Sequence, residues 1–265
     1  VKMRSFACLL LVVVATQAAV LRNGVELPWY STVCSRSDEK LDNCLKESIQ
    51  TLLKTISRDG IRQLGIGPLD PWSVEELDMN LGREQTFKIG FKFQDVNTYG
   101  LSRMEILEVR SNFADRNNMT LEFDFFNKKI FTEGKYSAEG VISAMPIVAK
   151  GEYNMSLSDV KGVFKMWGHV VEKNGDEHLA VDRATMSPDV GDFQFALTND
   201  KYPELTNLLA ALMNANWKYI YAGMSDYAED TFDQVIRPRL NLAFLKVPLN
   251  QIVKDSGSHL KNPSS

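Results

Sequence analysis

Between Pro203 and Pro238 apolar residues recur at spacings of three and four: Leu205, Leu208, Leu209, Leu212, Met213, Trp217, Ile220, Met224, Phe232, Val235 and Ile236. That spacing predicts one long amphipathic helix, with Asn207, Asn214, Lys218, Ser225, Glu229 and Asp233 on the opposite face. Pro203 suits a first helical position, with Asn199 or Asp200 before it as a cap. Pro238 predicts the stop. Gly223 lies inside the pattern and costs about 1 kcal/mol relative to alanine, so it marks a point of bending or division. A straight helix of this extent is roughly 50 Å long at about 1.5 Å per residue. Its broad apolar face needs a large apolar cover.

The cover is predicted upstream, where the period changes to two from Thr86 to about Leu197. Phe87, Ile89, Phe91 and Phe93 alternate with Lys88, Gly90, Lys92 and Gln94. Leu121, Phe123 and Phe125 alternate with Glu122 and Asp124. Tyr153, Met155 and Leu157 alternate with Asn154, Ser156 and Ser158, and Phe193, Phe195 and Leu197 with Asp192, Gln194 and Ala196. Each reads as a strand with one apolar and one wet face, as in an antiparallel sheet. Asn174-Gly175 predicts a two-residue hairpin turn between Val163–Glu172 and His178–Met186. Leu240, Leu242 and Phe244 predict a further short strand. A shorter helix is expected from Glu39 to Arg58, capped by Ser37 or Asp38 and ended by Gly60. The segment Leu64-Gly65-Ile66-Gly67-Pro68-Leu69-Asp70-Pro71 predicts an ordered, extended turn; its glycines lack the third partner and following helix of a phosphate loop. The elements together predict an α+β fold, a sheet curled around the long helix. Its Phe- and Met-rich inner face suits either a cavity lining or a plain core.

The N-terminus changes the compartment. Lys2 and Arg4, the apolar run Phe6 to Ala15 and the small residues Thr16, Ala18 and Ala19 read as a secretory signal over 1–18. The run is too short to span a bilayer, and no second long apolar stretch follows. One domain is expected over 19–253, and a polar, mobile tail over 254–265. A composition of 44% hydrophobic and 24% charged residues is ordinary for a globular protein. The net charge of -4, more negative without Lys2 and Arg4, argues against nucleic acid and anionic membranes as partners. Of three cysteines, Cys8 lies in the signal. Cys34 and Cys44 remain, and in a secreted chain they predict one disulfide; a zinc site lacks its other ligands nearby. Two sequons, Asn118-Met119-Thr120 and Asn154-Met155-Ser156, make Asn118 and Asn154 candidate glycosylation sites.

Catalytic signals are sparse. Of three histidines, His178 is placed beside the hairpin turn, His259 in the tail, and His169 at a strand end among apolar neighbours. Gly223-Met224-Ser225 lacks the second glycine of a nucleophile elbow. Glu75-Glu76 and Asp176-Glu177 read as solvated turns. No catalytic residue, metal site or cofactor is expected.

The order and spacing of several short segments identify a resemblance. They are Cys34 with Cys44-Leu45; the turn Gly65 to Pro71; Gly134-Lys135-Tyr136 followed by Met145-Pro146-Ile147; Gly151-Glu152-Tyr153; Asn214-Ala215-Asn216-Trp217; and Phe244 to Pro248. Over nearly the whole mature length the chain resembles the insect takeout and juvenile-hormone-binding protein family. The resemblance implies a long C-terminal helix wrapped by a strongly curved antiparallel sheet, similar to tubular lipid-carrying folds. It also implies a secreted, non-enzymatic carrier of a lipophilic small molecule: a juvenile-hormone-like terpenoid, a fatty or an isoprenoid compound. Two departures, no second cysteine pair and Gly67 where many members carry a bulky residue, favour a takeout-like member. In an internal apolar tunnel Tyr153 is the first candidate to donate a hydrogen bond to the ligand head. Phe91, Phe123, Met155 and Phe193 are candidate lining residues, and Trp217 and Tyr221 weaker ones. The carrier is expected to act as a monomer; any receptor is unknown. The competing readings are a secreted protein-interaction module without cargo and a hormone-ester hydrolase.

Overall fold

The computed structural model describes residues 32–84, 87–142, 145–199 and 203–254. The expected signal and nearly all of the expected polar tail, His259 included, lie outside the described residues. Chain order is β1 (Cys34–Ser35), α1 (Leu41–Thr55), β2 (Trp72–Glu84), β3 (Phe87–Tyr99), β4 (Glu105–Asn112), β5 (Met119–Ile142), β6 (Met145–Lys173), β7 (Asp176–Asp189), β8 (Asp192–Thr198), α2 (Pro203–Ala215), α3 (Trp217–Phe244) and β9 (Val253–Lys254). The expected α+β fold is what forms: a curled antiparallel sheet with helices on its inner side.

The sheet runs β2-β3-β5-β6-β7, with β4 on β5 and β8 on β6. Two very long strands are its spine. β5 pairs β6 in one register from Met119↔Gly168 to Ile142↔Met145, broken only opposite Asp159. The free side of β5 is shared by β4, opposite 120–126, and β3, opposite 131–142. The free side of β6 is shared by β8, opposite 152–158, and β7, opposite 161–173. The sheet therefore has two ends. One carries β4, β7 and α1; the other carries β3, β8 and α2. The alternation predicted for the separate short strands holds at each end, but its phase changes between them. Odd positions from Tyr153 to Leu157 face the helices, then Val160, Phe164 and Met166 do; Asp159 between them has φ +50°. Such a kink raises the local twist and curls the sheet.

The alternation pattern does not predict β2, and its residues explain why. Trp72, Val74, Leu77 and Met79 are the more covered positions, so Glu75 and Glu76 point outward in succession. The ladder with β3 skips Glu75 opposite Asp95, whose φ is +52°. That break leaves the register unchanged but hides the period of two, so Glu75-Glu76 reads as a turn. The Asn174-Gly175 hairpin forms as expected, with both residues at positive φ. Asp176 and Glu177 open β7 beside it.

The helical segment also differs from its sequence pattern. It divides at Asn216, and α3 runs through Pro238 to Phe244. Leu240, Leu242 and Phe244 are thus helical and form no strand. A proline removes one helical hydrogen bond, but tertiary anchors lie just beyond it. Arg239 donates to Ser73 O at 2.8 Å and stacks 4.8 Å over Trp72. Asn241 binds β7. Arg239 and Asn241 together make α3 span from β2 to β7, the two outer strands of the curl. Asn199, a candidate cap, instead donates to Lys150 O at 2.8 Å; Asp200 lies outside the described residues. α1 matches the expected short helix but begins at Leu41, and its Lys40 N-cap makes no side-chain cap bond. Cys34 and Cys44 form the expected disulfide, tying β1 to α1.

One device recurs at three sheet edges. Gln50 of α1 donates to Met104 O and accepts from Ile106 N, both at 2.9 Å, beside β4. Asn214 of α2 accepts from Phe195 N at 2.8 Å and donates to Phe195 O at 2.9 Å on β8. Asn241 of α3 makes the same pair with Val181 of β7. A side-chain amide offers one donor and one acceptor, as a neighbouring strand would, so each helix replaces a missing strand. Asp233 adds an acceptor for Ala184 N at 2.8 Å. Asn214 and Asp233 therefore face the sheet, against the sequence assignment, whereas Leu208 of the expected apolar face is 57% exposed.

Candidate functional site

The inner face carries a continuous row of aromatic rings across the α2 end. On β3, Phe91 stacks on Phe93 at 5.8 Å. Phe93 meets Tyr153 of β6 edge-on at 5.0 Å, and Tyr153 lies 6.1 Å from Phe195 of β8. Phe195 stacks with Phe193 at 6.1 Å, and Phe193 with Trp217 of α3 at 6.2 Å. Trp217 then meets Tyr221 edge-on at 6.4 Å. Such offset and edge contacts are the geometries ring quadrupoles favour.

Two glycines make room for the row's centre. In the β5–β6 ladder Gly134 is opposite Tyr153, and Gly151 opposite Tyr136. Each tyrosine ring lies over the other strand's glycine. A Cβ on Gly134 would sit 3.1 Å from Tyr153 Cε1 and 2.8 Å from Gln94 O; one on Gly151 would sit 3.3 Å from Tyr136 Cε1 and 1.7 Å from Thr198 O. The Gly-Lys-Tyr and Gly-Glu-Tyr segments quoted above are therefore one reciprocal packing unit.

The polar atoms on this face are few. Tyr153 is 6% exposed, and burial pushes its phenol up to about 12, so it stays protonated at physiological pH. Burial also raises the Tyr136 phenol, an effect the nearby Asn199 amide partly offsets. Tyr221 is raised by burial and then by the charge of Asp189. Its hydroxyl donates to Pro188 O at 2.8 Å, so that proton is already committed.

Of the residues singled out by sequence, Phe91, Tyr153, Phe193, Trp217 and Tyr221 all fall in the row. Met155 packs against the main core beside it. Phe123 belongs to the other end, where it stacks on Phe164 at 4.7 Å and Phe164 meets Phe232 of α3 at 6.2 Å. Phe93 and Phe195 were not singled out, although both share the parity of residues that were. Asn118 and Asn154 are exposed, Asn118 beside the β4–β5 turn and Asn154 on the outer face of β6. An open cleft of about 540 Å³ beside β8 is lined by Phe193, Phe195, Asn214, Trp217 and outer-face residues including Asn154 and Gln194. A second, of about 390 Å³, lies at the charged outer face by Arg110 and Lys165.

His178 lies in β7 beside the hairpin turn, as expected, whereas His169 is not packed among apolar neighbours. His169 is half-exposed within β6, its Nδ1 2.9 Å from Asp182 Oδ2. His178 is buried, and its Nδ1–H donates to Val247 O at 3.1 Å. Neither adjoins the row. Among the described residues no group of acidic, His and Cys side chains could hold a metal ion, and no helix is long and apolar enough to cross a membrane.

Comparison with known proteins agrees with this architecture. The structure resembles the crystal structure of Takeout 1 from Epiphyas postvittana, with a TM-score of 0.67 and 22% identity, covering 83% of this chain and 98% of that one. In sequence the chain is 18% identical over 219 residues to the circadian clock-controlled protein daywake of Drosophila yakuba, covering 80% of this chain and 84% of the relative. It is 22% identical over 192 residues to daywake of Drosophila melanogaster, covering 69% and 72%. The family model of haemolymph juvenile hormone binding protein matches residues 8–254, nearly the whole chain. The chain belongs to the haemolymph juvenile hormone binding protein family.

Proposed function

We propose that the protein is a secreted, monomeric, non-enzymatic carrier that holds one lipophilic small molecule, a terpenoid, fatty or isoprenoid compound, along the aromatic row. The observation that carries this reading is the row's continuity from β3 to α3 on the inner face. The family's name for haemolymph and for a hormone ligand supports it. Phe91, Phe193, Met155 and Trp217 are the apolar contacts, with Phe93 and Phe195 added. Phe123 contributes from the adjoining core, and Tyr153 donates to the ligand head. Tyr221 packs beside the ligand, with its hydroxyl held by Pro188. Residues 1–18 act as the signal, 19–253 as the binding domain and 254–265 as a tail, and Asn118 and Asn154 carry glycans.

The mechanism is physical. Burying about 300 Å² of apolar ligand surface yields roughly 7 kcal/mol gross. Ordering costs reduce this to affinities of about micromolar or better. A fluorescent apolar probe should therefore saturate at one per chain, and native mass spectrometry of protein from its own fluid should release a stoichiometric lipophilic compound. No probe uptake and no released compound would sink the proposal. Steady turnover of a lipophilic ester would replace it with the hydrolase reading.

A further inference from the structure

We infer that the aromatic row selects a neutral polar head, such as an ester, ketone or alcohol, and rejects a carboxylate, so that the cargo is a neutral lipid and not a free fatty acid anion. This rests on the carrier reading and names its ligand class.

The reason is the placement of charge around the row. On β3 and β5 the cations are exposed or partly exposed on the outer face, where Lys92 pairs with Glu76 at 2.7 Å and Lys135 with Asp95 at 2.7 Å; Lys88 and Lys129 stand in solvent. On β6, Lys150 and Glu152 are exposed at the positions flanking Gly151, and on β8 Asp192 is exposed. From β7, the charge nearest Tyr221 is that of Asp189, which repels an anion. From α3, Lys218 holds its ammonium 5.7 Å from the Trp217 ring centre, but its side chain stands in solvent. Arg239 is committed to Ser73 O and the Trp72 face. Among the described residues, then, no cation is directed at the row from within. A carboxylate drawn inside would lose its hydration and find no partner charge.

A neutral head meets a suitable group. The Tyr153 phenol stands between Phe93 and Phe195, protonated, in an apolar setting where one hydrogen bond to a carbonyl or hydroxyl oxygen is well rewarded. Tyr136 supplies a second phenol in the next inward-facing pair of the β5–β6 ladder.

The test is a matched twelve-carbon series, laurate, methyl laurate, dodecanol and dodecane, each competed against a fluorescent apolar probe between pH 5 and pH 8. At pH 8 the ester and the alcohol should bind at least about tenfold tighter than laurate. Laurate should gain affinity as the pH falls and its protonated form becomes available, while the ester stays flat. Tyr153→Phe should cut the ester's advantage over dodecane severalfold and leave dodecane unchanged; Lys218→Gln should not alter laurate binding. Laurate equal to the ester at pH 8, laurate flat in pH, or laurate lost with Lys218→Gln would each overturn the inference while the carrier reading stands. If neither the probe nor any member of the series binds, the carrier reading falls and this inference with it.

Discussion

The two ends of the sheet use similar residues differently. At the α1 end, Phe125, Met119 and Val160 are at most 2% exposed, enclosed between the sheet, α1 and the second half of α3. A disulfide and two amide-capped edges, β4 and β7, fasten that lid. At the α2 end the rings are as numerous, but many are only half-covered. The inner face there is closed by α2 and the start of α3, which part at Asn216, with one amide cap on β8. Closely packed apolar surface stabilises a fold, whereas half-covered aromatic surface leaves area for a ligand to remove from water. The same alternation of Phe and polar residues is core at one end and candidate site at the other, and the helices above make the difference.

Substitutions should separate the ends. The largest effect is expected for Phe125→Ala, which empties a fully enclosed position and should cost about 3–5 kcal/mol in denaturant unfolding; probe affinity of the folded fraction should change little. Cys34→Ser should remove about 2–3 kcal/mol, the loop-entropy contribution of a short disulfide loop, with the same indifference of the probe. Gly151→Ala should displace β8 from β6, because its Cβ would lie 1.7 Å from Thr198 O; about 1–3 kcal/mol of destabilisation is expected, with loss of probe binding. Asn241→Leu and Asn214→Leu each strand a backbone N–H and C=O and should cost about 1–3 kcal/mol. Hydrogen exchange should quicken at Val181 in the first and at Phe195 in the second, and only the second should alter probe affinity. Equal effects on the probe would mean that the ends are not functionally distinct.

The smallest effect concerns the outer face of the α1 end. Arg110 donates to both Glu122 and Asp124, and Lys165 pairs with Glu122 at 2.8 Å. The hydrogen bonds from Arg110 hold the Asp124 carboxyl below the ordinary carboxylate range, and those from Lys165 and then Arg110 do the same for Glu122. Groups depressed in the fold stabilise it above their unfolded pKa, and the gain is lost as the pH falls through the folded value. Wild type should therefore exceed Arg110→Met at pH 7 by no more than about 1 kcal/mol, since solvent screens the network. The difference should shrink below about pH 4. A difference constant from pH 7 to pH 2 would exclude this electrostatic origin.

Much of this was legible in advance because alternation is a local signal. Phe91, Tyr153 and Phe193 could be placed on one face from their neighbours alone. The signal fails where the backbone kinks. At Glu75 and Asp159 a kink shifts the phase, so β2 escaped notice and β5 and β6 each read as shorter pieces. Asn214 and Asp233 were assigned to solvent because polarity is a poor guide where a sheet edge needs a donor or acceptor. Pro238 read as a stop because the interactions that carry α3 past it, Arg239 with β2 and Asn241 with β7, are remote in sequence.

The sequence by itself determined the amphipathic helical segment, the faces of the strands, the Asn174-Gly175 turn and the family to which the chain belongs, since each rests on short-range pattern. Tertiary structure alone decided where the helix divides, which strands fuse into the long spine, and which rings meet. Those outcomes depend on how far the sheet curls and on which exposed edge each helix reaches, and both are settled by contacts between residues distant along the chain.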